Sequence, residues 1–95
     1  MWEQVGRLHE HHGEVPAEMR LLKLTEEVGE AAQALIGMRG GNPRKPACSR
    51  EDLLDELSDV IIAGAIAMAG VAGDVNQARG HLNRRLAAVC ERAGL

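Results

Sequence analysis

Apolar positions recur at helical spacing along most of the chain. Leu21, Leu24, Val28, Ala31, Leu35 and Met38 follow one another at steps of three and four. Such spacing predicts an amphipathic helix over roughly residues 17–38, with Pro16 suited to its first turn. Leu53, Leu57, Val60, Ile61, Gly64, Met68 and Val71 share one face of a second long segment. Ser49 and Asp52, three residues apart, form a shortened capping box at its start. A further segment starts at Asp74, with Gln77 at the capping-box position, and carries Val75, Ala78, Leu82, Leu86, Val89 and Ala93. A short one covers residues 2–12. Breakers separate them: Gly13 to Pro16, the run Gly40-Gly41-Asn42-Pro43-Arg44-Lys45-Pro46, and Gly73. No stretch alternates with period two. The expected fold is therefore all-α, a four-helix bundle built on a central helical hairpin of the second and third segments.

Composition adds a constraint on assembly. At 95 residues the chain has room for one domain, expected over residues 1–95, and Trp2 is its only Phe, Tyr or Trp ring. A chain this short buries only roughly 60–65% of its unfolded surface. The stretch Ala63 to Gly70 is small and apolar on every side, which marks a helix buried all round. Both features predict completion by self-association, as a homodimer or a dimer of dimers, with a close contact between subunits along Ala63 to Gly70; simple burial of that stretch within one chain is the alternative.

Charge and cysteine usage narrow the setting. The formal charge of −3 argues against a nucleic-acid polymer as partner. Cys48 and Cys90 are too few for a disulfide framework and read as free thiols. The N-terminus is charged from its third residue, unlike a signal peptide. The longest uncharged run, Val60 to Gly73, is 14 residues, whereas a bilayer crossing needs about 20. A cytoplasmic protein with no membrane partner is the expectation.

The informative side chains are carboxylates. Glu27 and Glu30 are three apart in one long segment, and Glu56 and Asp59 are three apart in the other. Each pair spans about 60° of a helix, so its side chains can converge. Glu27 and Glu56 border their apolar seams, so an antiparallel hairpin can bring the pairs together beside the core. Four carboxylates in one place repel unless a cation sits among them, and hard oxygen ligands suit Mg²⁺ or Mn²⁺. A solvated acidic face is the alternative.

Glu26-Glu27-x-x-Glu30, 25 residues, then Glu56-x-x-Asp59 resembles the EExxE…ExxD signature of the MazG-like nucleotide pyrophosphohydrolases. The surrounding KLTEEVGEAAQALIG and DELSDVIIAGAIAMAG are also similar, over roughly residues 17–72. The length resembles the short single-domain members. The resemblance implies Glu27, Glu30, Glu56 and Asp59 as Mg²⁺ ligands. It implies Glu26 as an outer or additional-metal carboxylate, or a base for water, so that all five acids are catalytic. The implied reaction is hydrolysis of a nucleoside triphosphate to monophosphate and pyrophosphate, with clearance of unwanted nucleotides as its role.

Other residues have two readings each. Lys23 either pairs with Glu26 or Glu27 or reaches a phosphate. Arg44 and Lys45 form a solvated turn or close over the triphosphate. Members of the family carry a basic element where this chain reads Gly80-His81, so His81, Arg84 and Arg85 are the candidates for that role. Trp2 either stacks a base or anchors the core. His9-Glu10-His11-His12 lacks the final His of HExxH, since position 13 is Gly13, and reads as a polar helix end. A related pyrophosphohydrolase of the phosphoribosyl-ATP type, and a non-catalytic dimerisation or nucleotide-sensing module, are the alternatives to the triphosphate hydrolase.

Overall fold

Each helix begins and ends where the local chemistry requires. In a computed structural model that describes residues 1–40 and 47–95, α1 is Trp2–His12, α2 Ala17–Met38, α3 Arg50–Ala72 and α4 Val75–Arg92. Ser49 caps α3: its hydroxyl accepts the Asp52 N–H at 3.0 Å, and its own N–H donates to the Asp52 carboxylate at 2.8 Å. At the other end Gly73, at φ 80°, donates its N–H to the Ala69 carbonyl. That left-handed conformation suits glycine, which carries no Cβ to clash. Asp74 caps α4 by accepting the Asn76 N–H at 3.1 Å. The bond goes to Asn76 rather than to Gln77, so this is a simple cap and not the expected capping box.

The architecture is all-helical, and its centre is the α2–α3 hairpin. α1 and α4 both pack on α3 and on each other, but neither packs on α2. After Ala72 the chain bends by 114° into α4. Val5 of α1 meets Ala65 and Ile66 of α3, flanked by Trp2 and Val75. Burying Ile66 contributes about 1.5–3 kcal/mol. No single helix among the described residues is long and apolar enough to cross a membrane.

Two expectations about packing change. On α2 the buried stripe is Glu27, Ala31, Ala34 and Gly37, whereas Leu21, Val28, Leu35 and Met38 of the leucine seam stay largely exposed. Small residues let the two backbones approach closely, and the larger side chains then splay to the flanks. Gly37 instead makes room for the segment that leads into α3, because a Cβ there would lie 2.8 Å from the Cys48 Sγ. On α3, Ala65, Ile66, Ala67 and Ala69 are buried within the one chain. α1 and α4 cross the C-terminal half of α3 and cover these four side chains within one chain, while Ala63, Gly64 and Met68 are half-buried and Gly70 is exposed.

The radius of gyration is 15.8 Å, against about 12 Å for a compact chain of this length. The excess reflects α4, which is packed through Val75 and Ala78 and then leaves Leu82, Leu86 and Val89 exposed. A wide apolar surface is therefore open on a single chain, with Val71 and Leu21 also prominent in it.

Candidate metal centre and adjoining groove

Glu27, midway along α2 on the face that meets α3, is the one buried charged residue among the described residues and is only 8% exposed. Its place in the stripe with Ala31 and Ala34 follows from helical spacing, which aims it at α3. Glu30, one turn on, lies at the edge of the same face. From α3, Glu56 reaches the same point. One carboxylate oxygen from each of Glu27, Glu30 and Glu56 lies within 4.8 Å of the others. Asp59, one turn beyond Glu56, stays exposed and is not in this cluster. Its side chain is a methylene shorter, and the rotation of α3 against α2 turns it to the neighbouring groove instead.

The electrostatics of the cluster are unbalanced. Glu27 Oε2 and Glu56 Oε2 are buried and have no hydrogen-bond partner. A buried unpaired acceptor is costly, and more so when charged. The charge of Glu27, with partial desolvation and then Glu56 behind it, holds the Glu30 carboxyl above the usual carboxylate range. On its other side Glu27 Oε1 accepts from Lys23 Nζ at 3.2 Å, while Glu26 Oε2 stands 3.7 Å from the same ammonium. The hydrogen bond to Glu27, followed by the charge of Glu26, raises the Lys23 pKa above its ordinary value. Three converging carboxylates, two of which also carry a buried oxygen without a partner, are the kind of hard oxygen set that suits a divalent cation such as Mg²⁺ or Mn²⁺.

A groove of about 450 Å³ opens beside Glu27, between the first half of α2, the middle of α3 and the end of α1. Its floor is apolar, from Met19, Ile62, Ala63 and Ile66. Glu27, Asp59 and Lys23 line one part of it, and Arg20 and His12 also reach it. The Arg20 guanidinium donates to the Gly13 carbonyl at 3.3 Å, which ties the α1–α2 junction to α2, and its Nε is buried without a partner. Arg20 carries no motif of its own in the sequence, and His12 reads there as part of a polar helix end. The spacing of Arg20, Lys23 and Glu27 at steps of three and four is the signal that points to a shared face.

The remaining candidates lie elsewhere. His81 and Arg84 line a separate groove of about 620 Å³ with Leu21, Leu24, Gly64 and Met68, and not the one beside Glu27. The bend after Ala72 carries α4 there, so these cations do not face the carboxylates of their own chain. Arg85 is exposed on the same helix. Trp2 flanks the Val5, Ala65 and Ile66 cluster as an anchor, and its exposed part borders a cleft with Arg7 and Arg79. Arg44 and Lys45 lie outside the described residues. Compared with known proteins, the chain matches no family profile, no curated protein and no solved structure.

Proposed function

We propose that this chain is a Mg²⁺-dependent nucleoside triphosphate pyrophosphohydrolase that works as a homo-oligomer. The observation that carries the reading is the pair of buried, unpartnered oxygens of Glu27 and Glu56 within the Glu27–Glu30–Glu56 cluster. Glu27, Glu30 and Glu56 would hold the cation, with Asp59 within the adjoining groove as a further carboxylate. When bound, Mg²⁺ supplies charge compensation and polarises the phosphoryl oxygens.

The chain's own residues account for the rest. The groove beside Glu27 has an apolar floor for a nucleoside and cations for its phosphates in Lys23 and Arg20. Arginine and lysine both suit phosphate, the former by paired contacts. An exposed carboxylate, Glu26 or Asp59, accepts a proton from a water that attacks the α-phosphorus. The bond from that phosphorus to the bridging oxygen breaks, and pyrophosphate leaves. The resemblance of Glu26-Glu27-x-x-Glu30 and Glu56-x-x-Asp59 to the MazG-like signature supports the same chemistry, with clearance of unwanted nucleotides as its setting. A phosphoribosyl-ATP type substrate would use the same carboxylates.

A second reading, a non-catalytic nucleotide-sensing or dimerisation module, is favoured by one observation: His81 and Arg84 line a different groove, which leaves fewer cations for a triphosphate. Product analysis separates the two. Incubation with a panel of nucleoside triphosphates and Mg²⁺ yields monophosphate and pyrophosphate from a hydrolase. A sensor binds nucleotide and returns it intact.

A further inference from the structure

The Glu27 carboxylate faces two ways. Oε2 is buried without a partner, in a residue that belongs to the acidic cluster. Oε1 is held by the Lys23 ammonium at 3.2 Å, on the groove side. The proposed metal ligand is thus already engaged by a cation supplied by its own helix, one turn earlier. We infer that Lys23 is a tethered counter-cation that competes with the divalent metal for Glu27 and so sets the metal affinity of the site. This rests on the reading of Glu27, Glu30 and Glu56 as a metal centre.

The geometry makes Lys23 displaceable. Its side chain is 58% exposed, so it moves through water rather than through packed atoms. A second acceptor, Glu26 Oε2, stands 3.7 Å from Nζ and can take the ammonium when Glu27 is withdrawn. An ordinary surface ion pair would have little consequence, since water screens it and holding two long side chains together costs entropy. This one differs because its acidic partner is buried and shared with two other carboxylates. Without Lys23, one more negative charge would stand uncompensated in the metal-free protein. With Lys23 in place, an incoming dication meets like charge at the ligand it requires. Lys23 is therefore a positioning residue for the metal, in addition to any contact it makes with phosphate.

The test is calorimetric titration of Mn²⁺ into wild type, Lys23→Met, Lys23→Arg and Glu56→Gln at low ionic strength. Methionine keeps the stem and the helix propensity, so the fold is retained, and circular dichroism checks this. Lys23→Met is expected to bind Mn²⁺ roughly tenfold more tightly, the scale of one charge within a few ångströms. Its metal-free melting temperature is expected to fall. Lys23→Arg is expected to keep the competition. Wild-type binding that Glu56→Gln abolishes, with Lys23→Met equal to or weaker than wild type, overturns the competition while leaving the metal centre standing. Failure of both wild type and Lys23→Met to bind Mn²⁺ overturns the metal centre and the inference together.

Discussion

Glu27 on α2 and Glu56 on α3 bring carboxylate oxygens within 4.8 Å of each other across the helical hairpin, and each leaves one buried oxygen without a hydrogen-bond partner. Like charges this close destabilise the hairpin that carries them. Replacing Glu56 by glutamine keeps the shape and removes one charge, so the metal-free protein is expected to melt higher. A gain of 1 kcal/mol corresponds to roughly 4–8 °C in a domain of this size. Wild type should gain stability from Mn²⁺ or Mg²⁺, about 2.7 kcal/mol at a hundredfold excess over Kd, and Glu56→Gln should gain none. Thermal melts of both proteins with and without metal check the pair of expectations. A lower melting temperature for metal-free Glu56→Gln would mean that the glutamate is structural.

Gly37 is required by the approach of Cys48 to α2. Alanine there gains helix propensity, about 1 kcal/mol, but its Cβ would stand 2.8 Å from Sγ and 3.3 Å from Cβ of Cys48. Overpacking of this kind costs about 1–3 kcal/mol. Gly37→Ala is therefore expected to lower stability, and the double variant with Cys48→Ala to recover most of the loss, since the closest atom is then gone. Denaturant melts of the three variants measure it. Undiminished stability in Gly37→Ala would show that the loop bearing Cys48 gives way.

The cap of α3 sets an acid dependence. Hydrogen bonds from the Ser49 backbone and side chain hold the Asp52 carboxyl below its usual value of 3.8. A carboxylate with a depressed folded pKa binds fewer protons folded than unfolded. Its contribution is present above the unfolded value and is lost as pH falls through the folded one. Asp52→Asn is expected to lower stability near neutral pH and to converge on wild type in acid, below the ordinary aspartate range. Ser49→Ala is expected to cost about 1 kcal/mol. Urea melts across a pH series test both, and an Asp52→Asn deficit that persists in acid would contradict the assignment.

The open apolar surface predicts self-association. Val71 is 74% exposed and lines an open groove with Leu21, Leu24 and Met68, and Leu86 is a further large apolar residue that this chain leaves exposed. Sedimentation velocity is expected to give a species at least twice the 10.2 kDa chain mass. Val71→Glu should shift it toward the monomer without altering the helical spectrum, because the residue packs on little within one chain. A monomeric wild type at high concentration would leave the exposed face unexplained.

Helix limits were legible because their signals are local. Ser49 with Asp52, Gly73, and the breakers around Gly13 and Gly40 mark ends that tertiary contacts do not move. The buried face of α2 was legible only in part. Of the seam Leu21, Leu24, Val28, Ala31, Leu35 and Met38, Ala31 is buried and Leu24 is half-buried beside Gly64 of α3, while Leu21, Val28, Leu35 and Met38 stay exposed and Ala34 and Gly37 are buried instead. The same shift explains why Glu27 is buried rather than bordering a seam. The convergence of Glu27, Glu30 and Glu56 was readable from spacing plus an antiparallel hairpin. The outward turn of Asp59 was not, because it depends on the rotation of α3 against α2. That His81 and Arg84 line a different groove was not legible for a related reason: the 114° bend after Ala72 fixes where α4 goes, and no residue pattern encodes that angle.

Pyrophosphate release is the most direct test of the catalytic assignment. Ribo-, deoxyribo- and oxidised nucleoside triphosphates are incubated with the protein in Mg²⁺, in Mn²⁺ and in chelator, with Glu56→Gln as control. A hydrolase of the kind proposed releases equimolar pyrophosphate and monophosphate from at least one of them. That release needs the metal and falls to background in Glu56→Gln. Intact triphosphates across the panel, under conditions where calorimetry shows metal bound, would contradict the assignment and leave a binding module in its place.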